Sequence, residues 1–390
     1  MNILVTGASG FIGSYIVEEG LRLGHQMWAG MRKSSSKAYL QDERIQFACL
    51  DLSSKSLLVS QLHEYKAQMG NRGWDIVVHA AGATKCLHPS DFYRTNLDGT
   101  IHLVEALRET GMMPQRLVYL SSLSVFGAIR EHPVRKPTAE NPWVYAPILD
   151  TDTPQPNTEY GKSKWKAEQW LAEQKDDPYT ILRPTGVYGP REKDYFLMAQ
   201  SIKQHTDFSV GYKPQEITFV YVMDVVQAVY KCMASEQAVG KAYFLSDGQV
   251  YNSRRFSDLL QQSMGNPWVL HIQAPLWFLR IVCAMSGALS RMTGRMNANN
   301  MDKYHILRQR NWQCDISPAM RDFGYEPEWG LERGVKAAVA GYKAHGWLGG
   351  KVQLRPIRSI RGRKGKNIST PVPGGQSHHH YPHALRCLEG

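Results

Sequence analysis

The chain opens on an unbroken apolar run, Asn2 to Thr6, that ends in glycine. A short run of this kind reads as a strand buried on both faces. From Phe11 to Leu23 the apolar residues recur at helical spacing, as in a helix with one face against a core. The two patterns then alternate. Apolar runs at 26–30, 45–50, 75–79 and 116–120 predict four more strands, with helical stretches between them. Strands that alternate with helices lie parallel, because each crossover carries the chain back to the same edge. The expected fold is α/β, a Rossmann-type doubly wound parallel sheet with a smaller C-terminal lobe.

Farther along, 158–175 is rich in helix formers with Thr158 as a cap, 274–294 is a long, mostly apolar helix candidate, and 331–345 is a closing helix. The apolar stretch from Leu276 to Leu289 is interrupted by Arg280 and Ser286, and falls short of the ~18 residues that span a bilayer. Membrane contact is therefore not expected, and a surface-lying helix is the minor alternative. Three segments follow from these shifts: 1–185, 186–347 with returning sheet elements, and a basic tail, 348–390, with no periodicity.

The first glycines carry chemistry. Gly7-Ala8-Ser9-Gly10-Phe11-Ile12-Gly13 joins a strand to a helix, and that arrangement lets backbone N–H groups at a helix start face a pyrophosphate. Gly7, Ser9, Gly10, Phe11, Ile12 and Gly13 form the candidate cradle; an ordinary glycine turn is the competing reading. Asp51 and Leu52 end the third strand, where an adenine would lie, and Ala80, Ala81 and Gly82 end the fourth with side chains small enough for close approach. The second strand ends at Arg32 and Lys33 with no carboxylate before Asp42. Cations there suit the 2′-phosphate of NADP better than the bare ribose of NAD, although both can also be solvated loop charges. The cofactor expected is NADP or NAD, with a lean to NADP.

Tyr160 and Lys164 stand four apart, on one face of the 158–175 helix. A free phenol, pKa roughly 10, is a weak base near neutrality. An adjacent ammonium would pull it down and make it a proton shuttle.

With Ser121-Ser122 after the fifth strand, Tyr160 to Lys164, Arg183-Pro184-Thr185-Gly186 and Val220 to Val225, the chain resembles the extended short-chain dehydrogenases/reductases, which include the NAD-dependent epimerase/dehydratase family. The resemblance covers most of residues 1–347. It implies a 1–185 NAD(P)-binding domain, a mainly substrate-binding 186–347 lobe, and an enzyme that moves hydride between nicotinamide and a carbonyl or alcohol. It also implies that Tyr160 is the acid/base, that Lys164 holds the nicotinamide ribose, and that Ser122 binds the substrate oxygen, with Ser121 and Ser124 as rivals. Asn96 matches a residue that supports the active site, or is a polar helix position. Pro184 and Thr185 match the loop beside the carboxamide. His79 reads as a satisfied core residue.

Sugar-nucleotide dehydratases of this group carry Asp-Glu immediately after the serine or threonine. Here Leu123 and Ser124 stand there, which disfavours dehydration. A nucleotide-sugar epimerase with the same residues remains the alternative, with Arg191, Arg254 and Arg308 as cations for a diphosphate. The order of elements after residue 274 is nearest the 3β-hydroxysteroid dehydrogenase and dihydroflavonol reductase branch, whose substrates are apolar ring compounds. A non-catalytic dinucleotide-binding regulator is the third reading.

Composition changes little else. Of the net charge of +11, most resides in the tail, where eight Lys/Arg face one Glu. The basic balance therefore does not mark a specific nucleic-acid partner. Six cysteines show no metal spacing and no paired framework. With a strand at the very start and no room for a signal peptide, they suggest the cytoplasm. A small-molecule substrate is the expected partner, with pairing into a homodimer through helices at 88–111 and 158–177 implied by the resemblance.

Overall fold

The computed structural model describes residues 1–293 and 301–349. The tail read from the sequence lies outside the described residues from 350 onward, as does the last position of the 274–294 helix candidate. Strand β1 (Asn2–Thr6), helix α1 (Phe11–Arg22), β2 (Gln26–Met31), β3 (Gln46–Cys49), α2 (Lys55–Gln68) and β4 (Ile76–His79) come first. Helices α3 (Pro89–Tyr93) and α4 (Gly99–Glu109) follow, then β5 (Arg116–Leu120), α5 (Glu159–Glu173) and β6 (Tyr179–Pro184). A seventh strand, Lys241–Leu245, returns from the C-terminal half to complete the main sheet.

The sheet is wholly parallel, in the order Lys241–Leu245, β6, β5, β4, β1, β2, β3. The expected doubly wound fold is the one observed. Along β1, Ile3 and Val5 enter one buried cluster with Ile16 and Val229, while Leu4 enters another with Leu103 and Leu107. A strand covered on both faces has no polar side to show, hence the unbroken apolar runs. A third cluster, built around Tyr188, Phe219, Phe256 and Tyr342, forms the C-terminal lobe.

Chain order reverses between β1 and β4, so the loops that follow these two strands diverge. Ligands of open parallel sheets bind in the crevice that this leaves at the strands' C-terminal ends.

The stretch expected as one helix over 88–111 is not uniform. Residues 94–98 form a π turn between α3 and α4. The helix candidate at 274–294 begins later, at Leu276, because 270–274 pairs in parallel with 206–210. Among the described residues, no helix is long and apolar enough to cross a membrane.

Candidate active site

Gly7 has φ of +68°, and a Cβ there would come within 2.7 Å of the Ala81 backbone. A Cβ on Gly13 would overlap the Gly7 carbonyl oxygen. Gly7 thus sets the turn and Gly13 seats α1 against it, while Gly10 precedes the first residue of α1. The result is a helix start with free N–H groups beside the ends of β1 and β4, a site fitted to a pyrophosphate.

A cleft of about 620 Å³ opens there. Of the residues read as cofactor contacts, Gly7, Ser9, Gly10, Arg32, Asp51, Leu52, Ala80, Ala81 and Gly82 line it. The cleft wall does not include Phe11, Ile12 or Gly13, nor Pro184 and Thr185. Phe11 and Ile12 turn their side chains into the C-terminal lobe's cluster. Thr185 donates its hydroxyl to the Thr218 carbonyl at 3.0 Å and accepts one from the Thr218 hydroxyl, so its polar atom serves the junction of two strands. Met31, Ser35, Ser53, Arg94 and Thr95 line the cleft and were missed. The last two sit on the π turn, whose extra residue the sequence does not announce.

The cleft's Gly82 wall adjoins the reactive groups. A Cβ on Gly82 would stand 3.1 Å from the Lys164 Nζ and 3.1 Å from the Asn96 Oδ1. Lys164 is 4% exposed. Its Nζ donates to the Leu120 carbonyl at 2.8 Å, which ties it to the end of β5, and it lies 4.7 Å from the centre of the Tyr119 ring. Ser121 and Ser122 follow Leu120 directly. The Ser122 hydroxyl donates to the Ser124 Oγ at 3.0 Å and acts on the Tyr160 phenol, drawing its pKa down. Ser124 donates its backbone N–H to the Ser122 Oγ at 3.1 Å, while Ser121 is buried with its hydroxyl unpartnered among the described residues. Of the three serines, Ser122 is the one that acts on the tyrosine's titration.

Asn96 is fully buried on the π turn. Its Oδ1 accepts the Ala83 N–H at 2.8 Å, and its Nδ2 donates to the Ala83 carbonyl and the Ser163 Oγ, both at 3.0 Å. One amide thus fastens the loop after β4 to α5. A local π turn often marks such a site, since the extra residue redirects a side chain that a regular helix would aim elsewhere.

Helix α5 is capped twice. Thr158 accepts the Gly161 N–H at 2.9 Å, as its sequence position predicts. Asp302, on the helix Met301–Arg308, accepts the backbone N–H groups of Glu159 at 3.1 Å and Tyr160 at 3.2 Å. This carboxylate at a helix N-terminus steadies the turn that bears the phenol, and it was not anticipated.

The electrostatics correct one expectation. Burial pushes the Tyr160 phenol up to about 12, opposed by the Ser122 hydroxyl, and Lys164 is not among the groups that move it. The lysine itself is pushed down to about 8 by burial, with Glu168 acting in the opposite sense. Desolvation dominates both groups because both are shielded from water. His79, 1% exposed, is bonded on both sides by Thr6 and Thr100 and driven down to about 3 by burial. It is the satisfied core residue its apolar strand suggested.

The three arginines read as diphosphate candidates have other engagements. Arg191 pairs with Ser14 and Glu18 and stacks on Tyr15 and Tyr39. Arg254 bridges Asp207 and Asp258. Arg308 lies over the Tyr304 ring. Among the described residues no cluster of three or more His, Cys, Asp or Glu could hold a metal.

Residues 3–252 match the NAD dependent epimerase/dehydratase family. A UDP-glucose 4-epimerase of Vibrio cholerae is 23% identical, over 87% of this chain and 95% of its own length. A 2-alkyl-3-oxoalkanoate reductase of Stenotrophomonas maltophilia is 27% identical, over 87% and 99%. Among solved structures, DesIV, a dTDP-glucose 4,6-dehydratase of Streptomyces venezuelae with NAD and TYD bound, superposes with a TM-score of 0.68 at 20% identity, covering 90% of this chain and all of that one. At that identity the superposition speaks for the fold alone. The parallel sheet, the glycine turn and the match over residues 3–252 lead to one conclusion: the chain belongs to the NAD dependent epimerase/dehydratase family.

Proposed function

We propose that this enzyme is an NAD(P)-dependent reductase or dehydrogenase that moves hydride between nicotinamide and a carbonyl or alcohol, with Ser122, Tyr160 and Lys164 as its catalytic set. The observation that carries it is the convergence at the end of β5 of a buried Lys164 amine, tied to the Leu120 carbonyl beside the Gly82 wall of the cleft, and Ser122, which acts on the Tyr160 phenol. In reduction the Tyr160 hydroxyl, kept protonated by a pKa of about 12, gives its proton to the substrate oxygen while Ser122 holds that oxygen. Lys164, clamped by the Leu120 carbonyl, is placed to donate to a ribose hydroxyl at the cleft wall. Asn96 positions the Ala83 loop rather than touching substrate. The nicotinamide, when bound, supplies or accepts the hydride. Tyr160→Phe is expected to lower turnover by about 10³-fold or more with cofactor affinity little changed; full turnover in that variant, followed at the reduced-cofactor absorbance, refutes the assignment.

An apolar carbonyl compound is the substrate class favoured here. The Stenotrophomonas relative is named as a reductase of oxoalkanoates, and two of the three arginines offered for a nucleotide diphosphate, Arg191 and Arg254, are held by carboxylates. The Vibrio relative keeps nucleotide-sugar epimerisation as the second reading. Purified protein that carries its cofactor and turns over a nucleotide sugar with none added would establish it. For the cofactor, the exposed Arg32 at the cleft rim beside Ser35 supports NADP.

A further inference from the structure

Several exposed apolar side chains that do not line the cleft are grouped on one helix. On the helix Leu276–Thr293, Trp277 is 65% exposed, Phe278 and Ile281 49%, and Met285 68%. Trp277, Ile281 and Met285 fall at four-residue spacing on one face, while Cys283 on the opposite side is buried. The helix continues directly from the strand Leu270–Ala274, which pairs with Thr206–Val210. On one face of that ribbon, Phe208 stands opposite Ile272, two residues from Leu270; Phe208 is 60% and Leu270 50% exposed. Helix and ribbon, adjacent in the chain, each carry exposed apolar side chains that water would ordinarily force under cover.

Their charge decides what covers them. The helix sequence contains two arginines and no carboxylate. Arg310 sits beside Leu276 at the helix start and donates to the carbonyl of Lys213, which is exposed. The last described residues end toward the other end of the ribbon: the Leu348 carbonyl accepts from Lys203, three residues before the ribbon begins at Thr206. Beyond that point the sequence holds eight Lys/Arg and one Glu. Two copies packed face to face would bring these like charges together. An anionic, apolar partner satisfies both features at once.

We propose that this face docks on the surface of an anionic lipid bilayer, with the helix Leu276–Thr293 lying in the headgroup plane and the basic tail adding attraction. An interfacial helix needs one apolar face with aromatic residues, cations at its edge, and too little overall hydrophobicity to span. All three conditions are met here.

The test is flotation of the full chain with vesicles of phosphatidylcholine, with or without about a quarter phosphatidylglycerol. Binding to the anionic vesicles is expected to exceed that to neutral ones by about tenfold and to weaken severalfold at high salt. W277S/I281S/M285S is expected to lower the bound fraction about tenfold while cofactor affinity stays at the parent value. Three results overturn the proposal: neither vesicle carries the protein, the triple variant floats as well as the parent, or light scattering finds a two-copy particle that the triple variant splits.

Discussion

Lys164 is a buried amine that donates to a backbone carbonyl, and its folded-state pKa of about 8 lies below the usual 10.5. The folded protein therefore holds that proton less tightly than the unfolded chain. The resulting penalty is fully present below pH 8 and disappears as pH rises from about 8 to 10.5. The gap corresponds to roughly 3 kcal/mol. Lys164→Met should thus stabilise the fold by about 1–3 kcal/mol at pH 7, and less toward pH 10, while turnover falls by about 10²-fold or more. Denaturant melts of the two proteins at both pH values check the sign. The same titration sets the rate profile. Reduction should be level below pH 8 and fall above it as the amine loses its charge, with Tyr160 still protonated. At the cleft rim, Arg32→Ser should weaken NADP at least about tenfold and leave NAD within about threefold, read by titration with each cofactor. Residue identities were legible because Tyr160, Lys164 and the glycines stand at fixed spacings on one chain segment. Their titration was not, because burial is a property of everything packed around them.

One turn beyond Lys164, Glu168 accepts from Arg183 on β6, at 2.5 Å from its Nη2, and both are buried. The guanidinium also lies over the rings of Phe126 and Phe244. This pair fixes α5 to the sheet directly behind the reactive amine. Removing one partner of a buried pair leaves a charge uncompensated, at a cost of about 3–5 kcal/mol. Glu168→Gln should cost that much. It should also move the falling limb of the reduction profile to lower pH, since Glu168 is the group that raises Lys164; an unmoved limb would make the pair structural only. At this scale the sequence is uneven. Strands of a covered parallel sheet show themselves as apolar runs, and β1 and β5 fall where their runs do. The π turn at 94–98 hides inside a continuous helical pattern, and its extra residue has no compositional mark. Asp302 caps α5 from 143 positions away, a contact that only the tertiary fold creates. The 270–274 strand went unread, apart from Ala274 taken as a helix start, because its partner, 206–210, stands 64 residues away in sequence.

For the whole molecule, the crevice between the β1 and β4 loops is where the two halves of the sheet meet, joined by strand pairing and by the Thr6 hydroxyl, which bonds the His79 ring and the Ala81 N–H. Ala81 and Gly7 approach within contact there, and Asn96 carries the connection on to α5. A dinucleotide lying across the cleft would bridge β2 and β3, through Arg32 and Asp51, to the loop after β4. Anything that binds only the folded state adds RT ln(1 + [L]/Kd), about 2.7 kcal/mol at a hundredfold excess over Kd. In a chain of this size that amounts to a few degrees in the unfolding midpoint. The two functional readings part at this point. A reductase exchanges its cofactor at every turnover, so protein as purified should gain this increment when NADP or NAD is added, and W277S/I281S/M285S should gain it equally because none of the three residues lines the cleft. An epimerase that returns hydride to the same substrate has no need to release its cofactor. Its midpoint should stand unmoved by added nucleotide and fall only when the protein is unfolded, stripped and refolded. A thermal shift on addition therefore supports hydride exchange with the medium, and a flat response, with nicotinamide recovered from the denatured protein, would reverse the assignment in favour of epimerisation.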